Sequence, residues 1–136
     1  MRSLRSFLLS FAIGLTVTTA VQAQPQPSAN TTLNNVRSRG ALVCGINATN
    51  PPFSVPDPQT GGWRGFEVDM CRAMAAALFG DAAKASFRVL TPQVRFAALQ
   101  SGEVDVLFSS STWTNSRETL LGLVFTGTNF HSGLGF

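Results

Sequence analysis

Val104-Asp105-Val106-Leu107-Phe108-Ser109-Ser110-Ser111-Thr112-Trp113-Thr114-Asn115-Ser116-Arg117-Glu118 decides the reading of this chain. The first five residues alternate and end apolar, as a strand does. The hydroxyls then begin where that strand would leave its sheet. In open α/β sheets ligands collect outside the carboxyl ends of the strands. Ser110 and Thr112 offer directional hydroxyl donors, and Arg117 offers a planar fork that can grip a carboxylate with two parallel hydrogen bonds. Asn115 to Glu118 reads as a helix start with Thr114 or Asn115 as N-cap, whose free amides would face the same anion. The expectation is a site for one small anionic group. Taken alone, a solvated turn with Arg117 paired to Glu118 accounts for the same residues.

Upstream, Ser86 to Leu90 reads as a strand and Thr91-Pro92 as an N-cap with proline in the first turn, opening a helix to Ser101 that Gly102 closes. Arg95 lies near its start and is read as solvated, with a place facing the cleft as the alternative. Phe66 to Phe79 is the clearest helix, with Phe66, Met70, Met74 and Leu78 recurring every fourth position beside Ala73 and Ala77. Glu67 and Asp69 in its first turn suit the helix dipole, and Gly80 closes it. Ala41 to Ile46 is a near-continuous apolar run, as expected of a strand buried on both faces. Strand, helix, strand, helix, strand makes two βαβ units and an α/β fold with a mostly parallel sheet flanked by helices.

Between the first strand and first long helix, residues 47–65 carry Pro51-Pro52, Pro56, Pro58 and Gly61-Gly62, an excursion of the kind that is functional or mobile. Phe53 and Trp63 are placed to pin its two arms, and Phe53 could also wall a ligand. Leu33 to Gly40 reads as a short helix, and 24–32 as a polar, proline-bearing flexible leader.

The first residues are an address. Met1 to Arg5 is basic, Phe7 to Val17 is apolar but short for a membrane span, and Val21-Gln22-Ala23 suits cleavage after Ala23, so 1–23 reads as a secretory signal peptide. The whole chain has 136 residues with ten basic and seven acidic side chains, a net charge of +3. Without Arg2 and Arg5 the basic count is eight against the same seven acids, which removes any electrostatic case for nucleic acid or anionic membrane. Cys44 and Cys71 are the only cysteines. They fall in the first strand and in the helix expected to pack on it, in a chain bound for an oxidising compartment, so a disulfide is expected, with two buried thiols as the alternative. No further Cys or His stands near to complete a metal site, and no cofactor is expected.

The order of export signal, Leu42 to Ile46, Pro51-Pro52-Phe53, Gly65-Phe66-Glu67-Val68-Asp69, Gln100 to Val106 and Ser110-x-Thr112-x-Thr114-x-x-Arg117 resembles the periplasmic solute-binding proteins of ABC transporters for polar amino acids. Cys44-Gly45, Val68 to Ala73, Phe79-Gly80-Asp81 and Thr112-Trp113-Thr114 are most similar to the general L-amino-acid binding members of the AapJ type.

That resemblance implies a type II periplasmic-binding-protein fold, a two-lobed clamp whose first lobe holds an amino acid's α-carboxylate. Its arginine role falls on Arg117, its hydroxyl roles on Ser110 and Thr112, and its cleft-side aromatic on Phe53. Implied partners are a free L-amino acid and a membrane permease, with a monomeric binding protein delivering between them in the periplasm. The chain departs from the family at Phe130, His131, Ser132 and Leu134, and it is much shorter than full-length members. Residues 33–136 are therefore expected to form a truncated first lobe, with an exposed sheet edge and apolar face. Alternatives are a non-binding remnant or a dehydratase or lyase on the same scaffold. Against an enzyme, His131 is the single histidine and no nucleophile–base pair is in view.

Overall fold

The computed structural model describes residues 29–133. The signal peptide, residues 24–28 of the leader and Leu134 lie outside the described residues. Helix α1 (Ala29–Arg39) starts earlier than the sequence suggests, taking in residues assigned to the leader. It ends as expected at Gly40, whose φ of 72° is open to glycine and whose amide donates to Val36 O at 3.0 Å.

Strand β1 (Leu42–Ile46) is the middle of a three-stranded parallel sheet, between β4 (Ala85–Val89) and β5 (Val106–Phe108). Leu42 lies opposite Ala85 and Ile46 opposite Val89 on one side, while Cys44 to Ile46 face Val106 to Phe108 on the other. Because side chains alternate across a strand, β1 feeds two cores. Leu42 and Cys44 join Val36, Cys71, Ala75 and Phe108 beneath α1 and α2 (Phe66–Phe79). Val43 and Leu107 point the other way, to Leu90, Ala98 and Val104 beneath α3 (Arg95–Gln100). Gly45 permits this close packing, since a Cβ there would meet Leu107 Cδ2 at 2.5 Å and Leu90 Cδ1 at 2.7 Å.

The expected disulfide is formed. Cys44 on β1 is bonded to Cys71 on α2 with their Cα atoms 6.3 Å apart. Both residues are fully buried.

Further sequence expectations are corrected. Helix α2 has the expected bounds but a rotated face. Val68, Cys71 and Ala75 are fully buried, Met70, Met74 and Leu78 pack at the margin, and Ala73, Ala77 and Phe66 are exposed. So many of its positions are apolar that spacing alone did not select the buried stripe. Helix α3 begins at Arg95 and not after Thr91, because Thr91 O first accepts from both Val94 N and Arg95 N in a tight turn. The strand-like run expected from Val104 is ordered as strand only from Val106, since Glu103 N and Val104 N turn back to Ala98 O.

The 47–65 excursion carries its own two-stranded antiparallel ladder, β2 (Val55–Pro56) against β3 (Trp63–Arg64). Its turn is closed by Asp57 N to Gly62 O at 2.8 Å, and the Asp57 carboxylate accepts from Thr60 Oγ1 and Gln59 N. Those two bonds hold the Asp57 carboxyl below its usual range. The ladder therefore joins the arms, and Phe53 does not stack on Trp63. Its ring meets Phe66 at 6.1 Å and Phe130 at 4.8 Å, both edge-on. A short 3-10 turn, 82–84, leads into β4, and the five-residue α4 (Asn115–Thr119) is the last regular element among the described residues.

Candidate functional site

A cleft of about 870 Å³ runs along β5 and past its carboxyl end, bounded by the 50–53 loop, α2, α3, the 109–113 loop and the segment 122–132. This is where a parallel sheet presents ligand-binding groups. Phe53, Ser110 and Thr112 line it, and so do Glu67 and Asn50. Arg117 stands just behind the lining. Its Nη1 donates to Thr112 O, and its guanidinium lies 5.1 Å from the centre of the Phe96 ring. One of its five donors is thus engaged locally, and Glu118 is not its partner.

The loop that follows β5 is shaped residue by residue. Ser109 is buried, 3% exposed, and its Oγ has no hydrogen-bond partner. Ser110 takes φ 44°, a left-handed conformation uncommon outside glycine. Thr114 caps α4 by accepting from Arg117 N at 3.4 Å. That cap uses one of the first-turn amides that sequence reasoning had assigned to an anion, and with five residues α4 supplies little dipole.

Two residues were misjudged from sequence. Glu67, read as a dipole complement, is only 4% exposed, and its carboxylate reaches across the cleft floor. Glu67 Oε1 accepts from Ser110 N and, at 2.7 Å, from Ser110 Oγ, while Oε2 lies 3.3 Å from Ser54 Oγ. Asn50 Nδ2 donates to Ser110 Oγ at 2.8 Å. Arg95, read as solvated, is partly buried, donates Nη1 to Ser109 O at 3.0 Å and lies 4.8 Å over Phe96. Burial, then the like charge of Arg117, pulls its guanidinium below the ordinary value, against a smaller opposing pull from Glu67. Phe96 is thereby flanked by two guanidinium groups. His131 is exposed on the rim. Among the described residues no group of three or more His, Cys, Asp or Glu could hold a metal.

Known proteins agree with this architecture. The chain is 43% identical over 133 residues to the general L-amino acid-binding periplasmic protein AapJ of Rhizobium johnstonii, covering 98% of this chain and 38% of AapJ. A structure of an ABC transporter periplasmic binding protein from Brucella ovis with glutathione bound superposes with TM-score 0.70 at 52% identity, over 73% of this chain and 30% of that one. Domain 1 from TmArgBP, in its arginine-bound form, superposes with TM-score 0.57 at 30% identity, over 63% of this chain and 64% of that one. The sequence therefore spans well under half the length of AapJ. The fold is that of a type II periplasmic binding protein, present as part of a domain. The profile of the bacterial extracellular solute-binding proteins, family 3, matches residues 42–126, and the chain belongs to that family.

Proposed function

We propose that this chain supplies the first lobe of an extracytoplasmic clamp that captures L-amino acids for an ABC transporter permease. The ligand's α-carboxylate is held by Arg117 with Thr112 beside it, Ser110 contacts the same ligand, and Phe53 forms the apolar wall. Residues 1–23 direct export to the periplasm and are then removed, and the partners are the free amino acid and the membrane permease. The chain adds no chemistry of its own. The relatives named above are binding proteins.

The observation that carries this reading is the convergence at the end of β5. Ser110 and Thr112 line one cleft, and Arg117 is bonded to Thr112 with donors to spare. A guanidinium held against an aromatic ring and a backbone carbonyl is pre-aimed, which limits the ordering cost of binding. An arginine-bound form of domain 1 from TmArgBP makes recognition by a single lobe a reasonable experiment.

Calorimetric titration of the purified chain with a panel of L-amino acids tests the reading, beside Arg117→Ala. Saturable heat that falls at least tenfold in affinity in the variant is expected. A folded, monomeric sample without heat would reject binding by this lobe alone. Amino-acid turnover seen by chromatography would place the chain among enzymes on this scaffold.

A further inference from the structure

We infer that Glu67 is the positioning residue of this site, and that it sets Ser110 to face the ligand's ammonium rather than its carboxylate. The inference rests on the amino-acid reading above and refines it. Three segments distant in sequence meet at Ser110. The 50–54 loop brings Asn50, the first turn of α2 brings Glu67, and the end of β5 brings Ser110 itself.

Glu67 is held firmly enough to impose geometry. Its backbone N–H donates to Phe53 O at 2.9 Å, its side chain is buried, and no cation is in salt-bridge contact with it among the described residues. A buried carboxylate in that position needs hydrogen-bond donors. It takes them from both polar hydrogens of one residue, the amide and the hydroxyl of Ser110. Both bonds can form because Ser110 adopts φ 44°. The carboxylate therefore holds an otherwise disfavoured backbone turn two residues before Thr112.

The proton count then fixes polarity. A serine hydroxyl has one proton and two lone pairs. The proton goes to Glu67 Oε1, and Asn50 Nδ2 occupies one lone pair. One lone pair remains, on a residue that lines the cleft. An acceptor without a spare proton repels a carboxylate and suits an N–H donor, so the partner is the ligand's ammonium. The carboxylate is left to Arg117 and Thr112. Nothing local in the sequence signals this, because Glu67 and Ser110 are separated by 43 positions.

The first arm of the test needs no ligand. Amide hydrogen exchange, read by NMR on the full chain, should show the Ser110 amide protected at least tenfold relative to the neighbouring Thr112 amide. Glu67→Ala should abolish that protection while the Ile46 amide in the core stays protected. Glu67→Gln, which keeps an acceptor oxygen, should retain most of it. If Glu67→Ala does not fold, the unmodified chain decides: a Ser110 amide exchanging as fast as that of Thr112 overturns the inference.

The second arm compares L-glutamine with glutaramate, the same skeleton without its ammonium. Ser110→Ala should lower the ratio of the two affinities about tenfold, the effect of losing a hydrogen bond to a charged group. An unchanged ratio overturns the ammonium assignment. If the chain binds neither compound, binding of glutamine by this lobe alone is rejected and the ammonium assignment with it, while the exchange result still decides whether Glu67 positions Ser110.

Discussion

Gly65 shows how narrowly one residue can constrain the site. Its φ of 129° lies where side chains are rarely tolerated, and an added Cβ would approach Pro52 O at 2.6 Å. Backbone carbonyls cannot turn aside as a side-chain tip can. Gly65→Ala should therefore cost about 2 kcal/mol or more in chemical denaturation, and should loosen the 50–53 loop from α2. A second prediction concerns Arg117. Arg117→Lys keeps the charge but loses the planar fork, so amino-acid affinity by calorimetry should fall nearly as far as in Arg117→Ala. Residues whose roles follow from local sequence, such as Thr114 as cap and Gly40 and Gly80 as terminators, were legible. Glu67 and Arg95 were not. An acid in a first turn looks the same whether it faces water or a serine 43 positions away, and burial of Arg95 against Ser109 depends on how two elements dock.

At the scale of elements, the parallel βαβ pattern was readable because short apolar runs alternate with helices, whereas the order β4-β1-β5 was not. The bounds of α2 were readable too, but its rotation was not. Fourteen residues with apolar groups on most sides give no preferred stripe until β1 chooses one. The buried face makes a contrast that denaturation can check. Val68→Ala should cost about 2 kcal/mol through lost burial and a residual cavity. Ala73→Lys and Ala77→Lys, on positions exposed to water, should change stability by no more than about 0.5 kcal/mol. The disulfide is the other fastening of α2 to β1. Replacing Cys44 and Cys71 together by alanine should lower stability by about 2–4 kcal/mol and shift the thermal midpoint downward.

Across the described residues, apolar groups remain uncovered in and near the cleft, between residues 113 and 130. Leu120 is 81% exposed and Val124 85%, with Phe130 and Trp113 about half exposed. Trp113 covers part of its own ring by stacking on Phe125 at 5.7 Å. Such a surface favours association when concentrated. Leu120→Lys with Val124→Lys should reduce concentration-dependent self-association in sedimentation velocity, and should leave the thermal midpoint nearly unchanged.

The knot at Ser110 also has a kinetic meaning. Its hydrogen bonds join residues 43 and 60 positions apart, through a loop, a helix and a strand that are each anchored on β1. Contacts so distant in sequence close late, after the chain entropy between them has been spent. Recognition in this lobe is then among the last properties a folding chain acquires. A partly assembled copy holding its core but not this knot would be blind to its ligand, so capture reports that the lobe has finished folding.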